Sequence, residues 1–172
     1  MKNKGFSLVE LIVVVAIMAI LLGLMAPFLI KYVEKTNVSS DIQLCDSIRS
    51  AIITAKCDPD VFNATDGSAS QIEYLEDGNI YSITYFTTDT EFTDAVTDII
   101  GVDIVGNGSA DLSITRNLMK SHIAKSSGEL KIQVHDGQVY VWIDHSDITG
   151  AKNDNSCTDY SNLASSNVIY AN

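Results

Sequence analysis

The sequence predicts an α+β fold in which one long N-terminal helix packs on a small antiparallel sheet. Three observations predict it. Phe6 to Ile30 is an almost unbroken apolar stretch of 25 residues. Past it, Ile42, Cys45, Ile48, Ile52 and Ala55 recur at three- and four-residue steps, one stripe of a helix. Near the C-terminus, Leu130, Ile132 and Val134, then Val139, Val141 and Ile143, alternate with other residues on either side of Asp136-Gly137.

The first stretch is long enough to leave a globular core. Only Ser7 and Glu10 in it are clearly polar. As a helix it would measure about 37 Å, more than the roughly 30 Å of a bilayer's hydrocarbon layer. A span of this kind is expected to cross the membrane once. Lys2 and Lys4 precede it with no acid beside them, which places the N-terminus on the cytoplasmic side. Lys31 and Lys35 follow the span, but Glu34 and Asp41 accompany them. An ordinary secretory signal has a shorter apolar stretch and paired small residues at its cut site, and Leu22 to Pro27 lacks that pair. Glu10 carries the most information. A carboxylate on a membrane helix costs a few kcal/mol and is read by default as functional. A plain anchor with Glu10 near the interface is the plainer alternative.

The residues Lys4-Gly5-Phe6-Ser7-Leu8-Val9-Glu10-Leu11-Ile12-Val13-Val14 resemble the signal of type IV prepilins: a short basic leader, Gly, Phe, then Thr or Ser-Leu-Val-Glu. The resemblance covers about the first 35 residues, and Pro27 falls where many pilins carry a helix-kinking proline. It implies four regions: a leader at 1–5 that is removed, a membrane and filament-core half-helix at 6–30, an amphipathic half-helix at 31–57, and an extracellular head at 58–172. It further implies that a membrane aspartyl protease, the prepilin peptidase, cuts between Gly5 and Phe6 and then methylates the new amine of Phe6. Other implied partners are further copies of the chain in a helical filament, a pilus assembly platform and its ATPase. The chain would sit in the cytoplasmic membrane first and in a surface pilus afterwards. Gly5 has no side chain, so a protease can grip the backbone there. Glu10 would be the one acid in an apolar bundle, and a buried charge needs a partner. The Phe6 amine of a neighbouring copy is the natural one, and the pair would set axial register. A pseudopilin of a type II secretion or competence machine uses the same leader. An anchored, monomeric binding protein is a third reading.

The remaining elements follow in order. Residues 31–57 hold no Gly or Pro, so the helix continues until Asp58-Pro59 ends it near Cys57. Asp41, Asp46, Arg49 and Ser50 read as lying off its apolar stripe. Pro27 removes one backbone bond and should bend or loosen the helix around Gly23 to Pro27. Residues 58–79 read as a loop. Ile80 to Thr88 is a strand candidate, and Phe92 to Ile100 a short helix closed by Gly101. Gly106-Asn107-Gly108 is a turn, and Leu112 to Ala124 leans towards helix. In the hairpin, Val134 should pair with Val139, Ile132 with Val141 and Leu130 with Ile143, so all six share one face that packs on the stripe of residues 42–55. Lys131 would face Trp142 on the other side, a candidate cation–π contact. Asn167 to Ala171 reads as a late strand, and 146–166 as a polar tail.

Composition bounds the function. The chain of 172 residues carries a formal charge of -11, from 22 acidic and 11 basic residues. That excludes a basic nucleic-acid surface and suits a self-repelling head. Cys45, Cys57 and Cys157 form no C-x-x-C pair, so no zinc site is expected. One disulfide with one spare thiol is the simplest oxidised reading, and three free thiols the other. A Cys57–Cys157 bridge would pin the tail. His122, His135 and His145 are isolated, so no metal is expected there. The acids Asp58, Asp60 and Asp66, and Asp144, Asp147, Asp154 and Asp159, lack the spacing of a calcium loop and read as solvated. The N-x-S/T triplets at Asn37, Asn63 and Asn107 arise easily by chance. No nucleophile, phosphate-loop or dinucleotide motif is present, so neither enzyme activity nor a cofactor is expected.

Overall fold

A computed structural model of the chain describes residues 7–76, 78–83, 86, 89–102, 117–144 and 168–170. Gly5 and Phe6, the 106–108 turn, His145, Cys157 and the polar tail lie outside the described residues. The described part has the predicted α+β form, a long N-terminal helix and a four-stranded antiparallel sheet. It divides into two compact units, Met1–Thr36 and Asn37–Asn172.

The long helix, α1, runs from Leu8 to Lys56, 49 residues, and Pro27 lies inside it. In the first unit every residue from Ser7 to Val33 is exposed. The helix persists through Pro27, although the missing N–H leaves the Gly23 carbonyl without its helical donor.

The second unit owns the core. Along α1, burial begins at Asp41 and continues through Cys45, Ile48, Ala51, Ile52 and Ala55. Ile42, placed on the stripe by its spacing, is 37% exposed, and Asp41 takes the inward position instead. The reason is spacing: 41, 45, 48, 52 and 55 keep strict steps of four and three, whereas Ile42 sits one residue round the helix.

Residues 58–79 are not a loop throughout. They hold α2, Pro59–Asn63, and α3, Ser68–Glu76. The residues that suggest turns act here as caps. Asp58 accepts the Asp60 N–H at 2.9 Å with Pro59 in the first turn, the arrangement that starts a helix. Asp66 accepts from the Ser68 N–H at 2.9 Å and the Ser68 hydroxyl at 2.6 Å. Asp58 and Asp66 are thus structural acceptors, not merely solvated acids.

The first strand, β1, is Ile80–Ser82, shorter than the span read from sequence; residues 84, 85, 87 and 88 lie outside the described part. The short helix is present as α4, Glu91–Ile100, opened by Thr90 and Thr93 in a reciprocal cap and closed by Gly101 at φ 74°. The segment read as leaning towards helix, Leu112 to Ala124, overlaps α5 only at its end: α5 covers His122–Ser127 with Ser121 as its cap, Met119 to Ser121 are not helical, and 112–116 lie outside the described residues. Asp66 also accepts the Glu91 N–H at 2.6 Å, and the buried Ser68 hydroxyl oxygen accepts the Phe92 N–H at 3.1 Å, so the starts of α3 and α4 are tied together.

The hairpin forms in the expected register. Strands β2, Glu129–His135, and β3, Gln138–Asp144, pair Val134 with Val139, Ile132 with Val141 and Leu130 with Ile143. Asp136 at φ 50° and Gly137 at φ 76° make the two-residue turn. All six apolar side chains are buried in one core with the α1 stripe, Phe86, Phe92, Val96 and Met119. The late strand, β4, is Val168–Tyr170 and pairs with β3, giving the order β1-β2-β3-β4.

On the opposite face Lys131 stands across from Trp142, as expected. Its ammonium does not take the ring, however. It lies 2.7 Å from Asp144 Oδ2, a carboxylate only 3% exposed. Full charge pairing at short range outcompetes a quadrupole attraction worth about 0.5–2 kcal/mol. Trp142 is buried against Ile80, Tyr140 and Tyr170.

Candidate functional site

The candidate site is the start of α1 and the apolar surface that follows it. The helix opens with the Leu11 N–H bonding the Ser7 carbonyl at 3.3 Å. The Glu10 carboxylate folds back so that its Oε2 accepts the Ser7 N–H at 2.9 Å. Ser7 therefore stands at the cap position and Glu10 three residues on, where an acid satisfies an orphan donor and faces the positive end of the helix dipole. Glu10 is exposed and is the only acidic residue from Ser7 to Val33.

Beyond Glu10 the surface is apolar. Leu8, Val9, Leu11 to Val15, Ile17, Met18, Ile20 to Leu22, Leu24, Met25 and Phe28 to Ile30 are all exposed hydrophobics. An 18-residue stretch of α1 is long and apolar enough to cross a membrane, and none of that stretch is buried within the chain. Such a surface is unstable in water at roughly 25 cal/mol per Å² and demands lipid or protein cover. Gly23 adds no close contact of its own, since a Cβ there would meet nothing within 4 Å.

Of the other sequence-predicted site residues, Pro27 lies on this surface, and Gly5 and Phe6 precede the described chain. Cys57 is exposed just past the end of α1, and its candidate partner Cys157 lies outside the described residues. Cys45 is buried. Its thiol donates to the Ile169 carbonyl at 3.7 Å, and burial, aided by nearby Asp41, pushes its pKa up to about 12. Among the described residues no three His, Cys, Asp or Glu side chains gather as a metal site would need.

Two roles are not given by the sequence reading above. Ser7 is there a polar residue of the motif, but Ser7-Leu8-Val9-Glu10 is also the S-x-x-E pattern of a helix start. Asp41 is expected off the stripe. It is fully buried, and its carboxylate accepts the Lys120 N–H at 2.7 Å, the Ser121 N–H at 3.0 Å and the Ser121 hydroxyl. It holds the lead-in to α5 against α1. Asp66 has a milder version of this role, and its pKa is lowered first by the Ser68 hydroxyl and then by the Glu91 N–H.

Residues 1–26 match a family model described as the prokaryotic N-terminal methylation motif. Over 70 residues the chain is 35% identical to the type IV major fimbrial protein FimA of Dichelobacter nodosus. That match takes in 41% of this chain and 44% of the relative, so it spans less than half the length of the curated protein. No solved structure matches. The motif and the fimbrial likeness support a type IV pilin-like subunit, and the long helix with its small antiparallel sheet is consistent with a pilin fold.

Proposed function

We propose that the chain is a structural subunit of a type IV pilus, cut after Gly5 by a prepilin peptidase, methylated on Phe6 and polymerised through α1. The observation that carries this reading is the wholly exposed apolar surface of α1 with its one acid at the very start. Before assembly the surface is covered by the membrane. Afterwards it is covered by the same segment of neighbouring copies, in a filament serving adhesion, motility or surface attachment. Moving it from lipid to protein exchanges one apolar medium for another, so the transfer itself is nearly neutral. Direction and register then come from polar groups. Glu10 pairs with the Phe6 amine of an adjoining copy and sets the axial step. The assembly platform and ATPase supply the work of extraction. Pro27 loosens the helix locally, which lets the packed segments adjust.

Two measurements test this. The intact mass of the surface-exposed protein should correspond to a chain starting at Phe6 and heavier by one methyl group; a product that retains Met1 or starts near Ala26 would refute the proposal. Glu10→Ala should be cut as efficiently as the parent yet fail to enter fibres, read by shearing cells and probing the filament fraction. Normal fibres from that variant would remove Glu10 from the assembly step.

A further inference from the structure

We infer that Lys131 and Asp144 are the two halves of a self-forming cross-link: an amide between Lys131 Nζ and the Asp144 side-chain carbon Cγ, made with loss of one water. The bond braces the hairpin whatever the chain assembles into.

The hairpin brings the pair together. Lys131 on β2 stands across from Trp142, and Asp144 lies two residues further along β3, diagonal to Lys131 on the same face. Lys131 Nζ is 2.7 Å from Asp144 Oδ2. The carbon that bears this oxygen is therefore no more than one C–O bond length further away. Reacting atoms held about 3–3.5 Å apart are at the point of attack. Well-oriented groups in one molecule reach effective molarities of about 10⁵–10⁸ M, enough to drive a condensation that a free amine and a free acid do not complete in water.

The surroundings favour the loss of charge. Asp144 is buried, and the Lys131 side chain is only 24% exposed. Trp142 beside them is wholly buried against Ile80, Tyr140 and Tyr170, and its indole N–H meets no acceptor among the described residues. Two ions in so apolar a place are costly, and an amide replaces both with one neutral group. A third carboxyl group belongs to the same face. Glu129 is half-buried and pairs directly with Asp144, two residues before Lys131 on β2.

The atoms balance without a co-reactant. The Lys131 ammonium gives one proton to the Asp144 carboxylate, which leaves an amine and an acid. The Nζ lone pair attacks Cγ, and the C=O pair moves onto its oxygen. Glu129 takes a second proton from Nζ and passes it to the hydroxyl, which leaves as water with the C–O pair. The C=O bond re-forms, and Glu129 ends as it began. The amide closes the hairpin at the end opposite the Asp136-Gly137 turn, so β2 and β3 become a ring that cannot peel apart from its open end.

Tryptic mapping by mass spectrometry of the full-length chain, held in detergent, reads the bond. Trypsin should fail after Lys131, because an acylated lysine is no substrate. One looped peptide from Ser126 to Lys152, lighter by one water than its sequence requires, should replace two separate peptides. Lys131→Arg keeps the charge, but its guanidinium stays protonated and does not attack. That variant should be cut at residue 131 and lose no water. Glu129→Gln should slow the condensation about 10²-fold or more, leaving newly made chain unlinked. A parent that trypsin cuts after Lys131 into two peptides of full mass overturns the proposal, and this outcome requires no variant to fold. A lost water that persists in Lys131→Arg lies elsewhere and overturns it equally. Condensation of Glu129→Gln at the parental rate overturns the part given to Glu129.

Discussion

Asp41 is a carboxylate in a fully buried position, satisfied by donors 79 and 80 residues away in sequence. Removing it strands the Lys120 and Ser121 amides without acceptors in the interior. Asp41→Ala should therefore cost about 3 kcal/mol, and Asp41→Asn less, since an amide oxygen still accepts. Denaturant unfolding followed by the emission of the single Trp142 checks this. The position was legible, one turn ahead of Cys45 at the stripe's own spacing. Its burial was not, because a lone acid there reads as solvent-facing until its distant donors are known. Cys45 makes a second prediction. Its folded pKa of about 12 lies above the ordinary 9.0, so between those values the folded state holds a proton that the unfolded chain releases. Its contribution is fully present below pH 9.0 and drains away as pH rises towards about 12. Parent and Cys45→Ala compared over that window should show the parent losing more stability with each pH step.

At the scale of elements, the hairpin was written plainly in the sequence and the small helices were not. Six alternating apolar residues and Asp136-Gly137 admit one register, because a slip of one residue would turn all six to the outer face. Gly137 sits at φ 76°, where a β-branched residue is strained. Gly137→Val should lower stability by about 1–2 kcal/mol, measured by thermal unfolding, while Gln138→Thr beside it should change little. Helices α2 and α3 were hidden because the same Asp, Pro and Ser residues that mark turns also start helices. What decides between them is whether a packed partner rewards the following residues. Val61 and Leu75 are buried in the core, and that burial lies outside any local pattern. The start of α1 is the reverse case. Its capping pattern was present in four consecutive letters, overshadowed by the stronger apolar signal around it.

At the scale of the whole molecule, the buried core among the described residues is drawn from Asp41 onward, while their exposed apolar surface belongs almost entirely to the residues before it. Under the proposed function, folding and association fall to different stretches of one chain. Mutations in the stripe, the hairpin or the ties between α3 and α4 should then act on the first, and those near Glu10 on the second. The long helix and its apolar face were legible because they rest on local periodicity. The residues that join α1 to α5 were not, because those contacts link distant parts of the chain.

The sheet has its own bearing on how copies of this chain meet. Among the described residues its two outer strands, Ile80–Ser82 and Val168–Tyr170, are three residues each, and only the central pair is long. So short a margin offers few open backbone groups to a foreign strand. The fibres proposed above should therefore owe nothing to cross-β stacking: they should leave thioflavin T dark, show the infrared amide band of helix rather than of amyloid, and come apart in detergent.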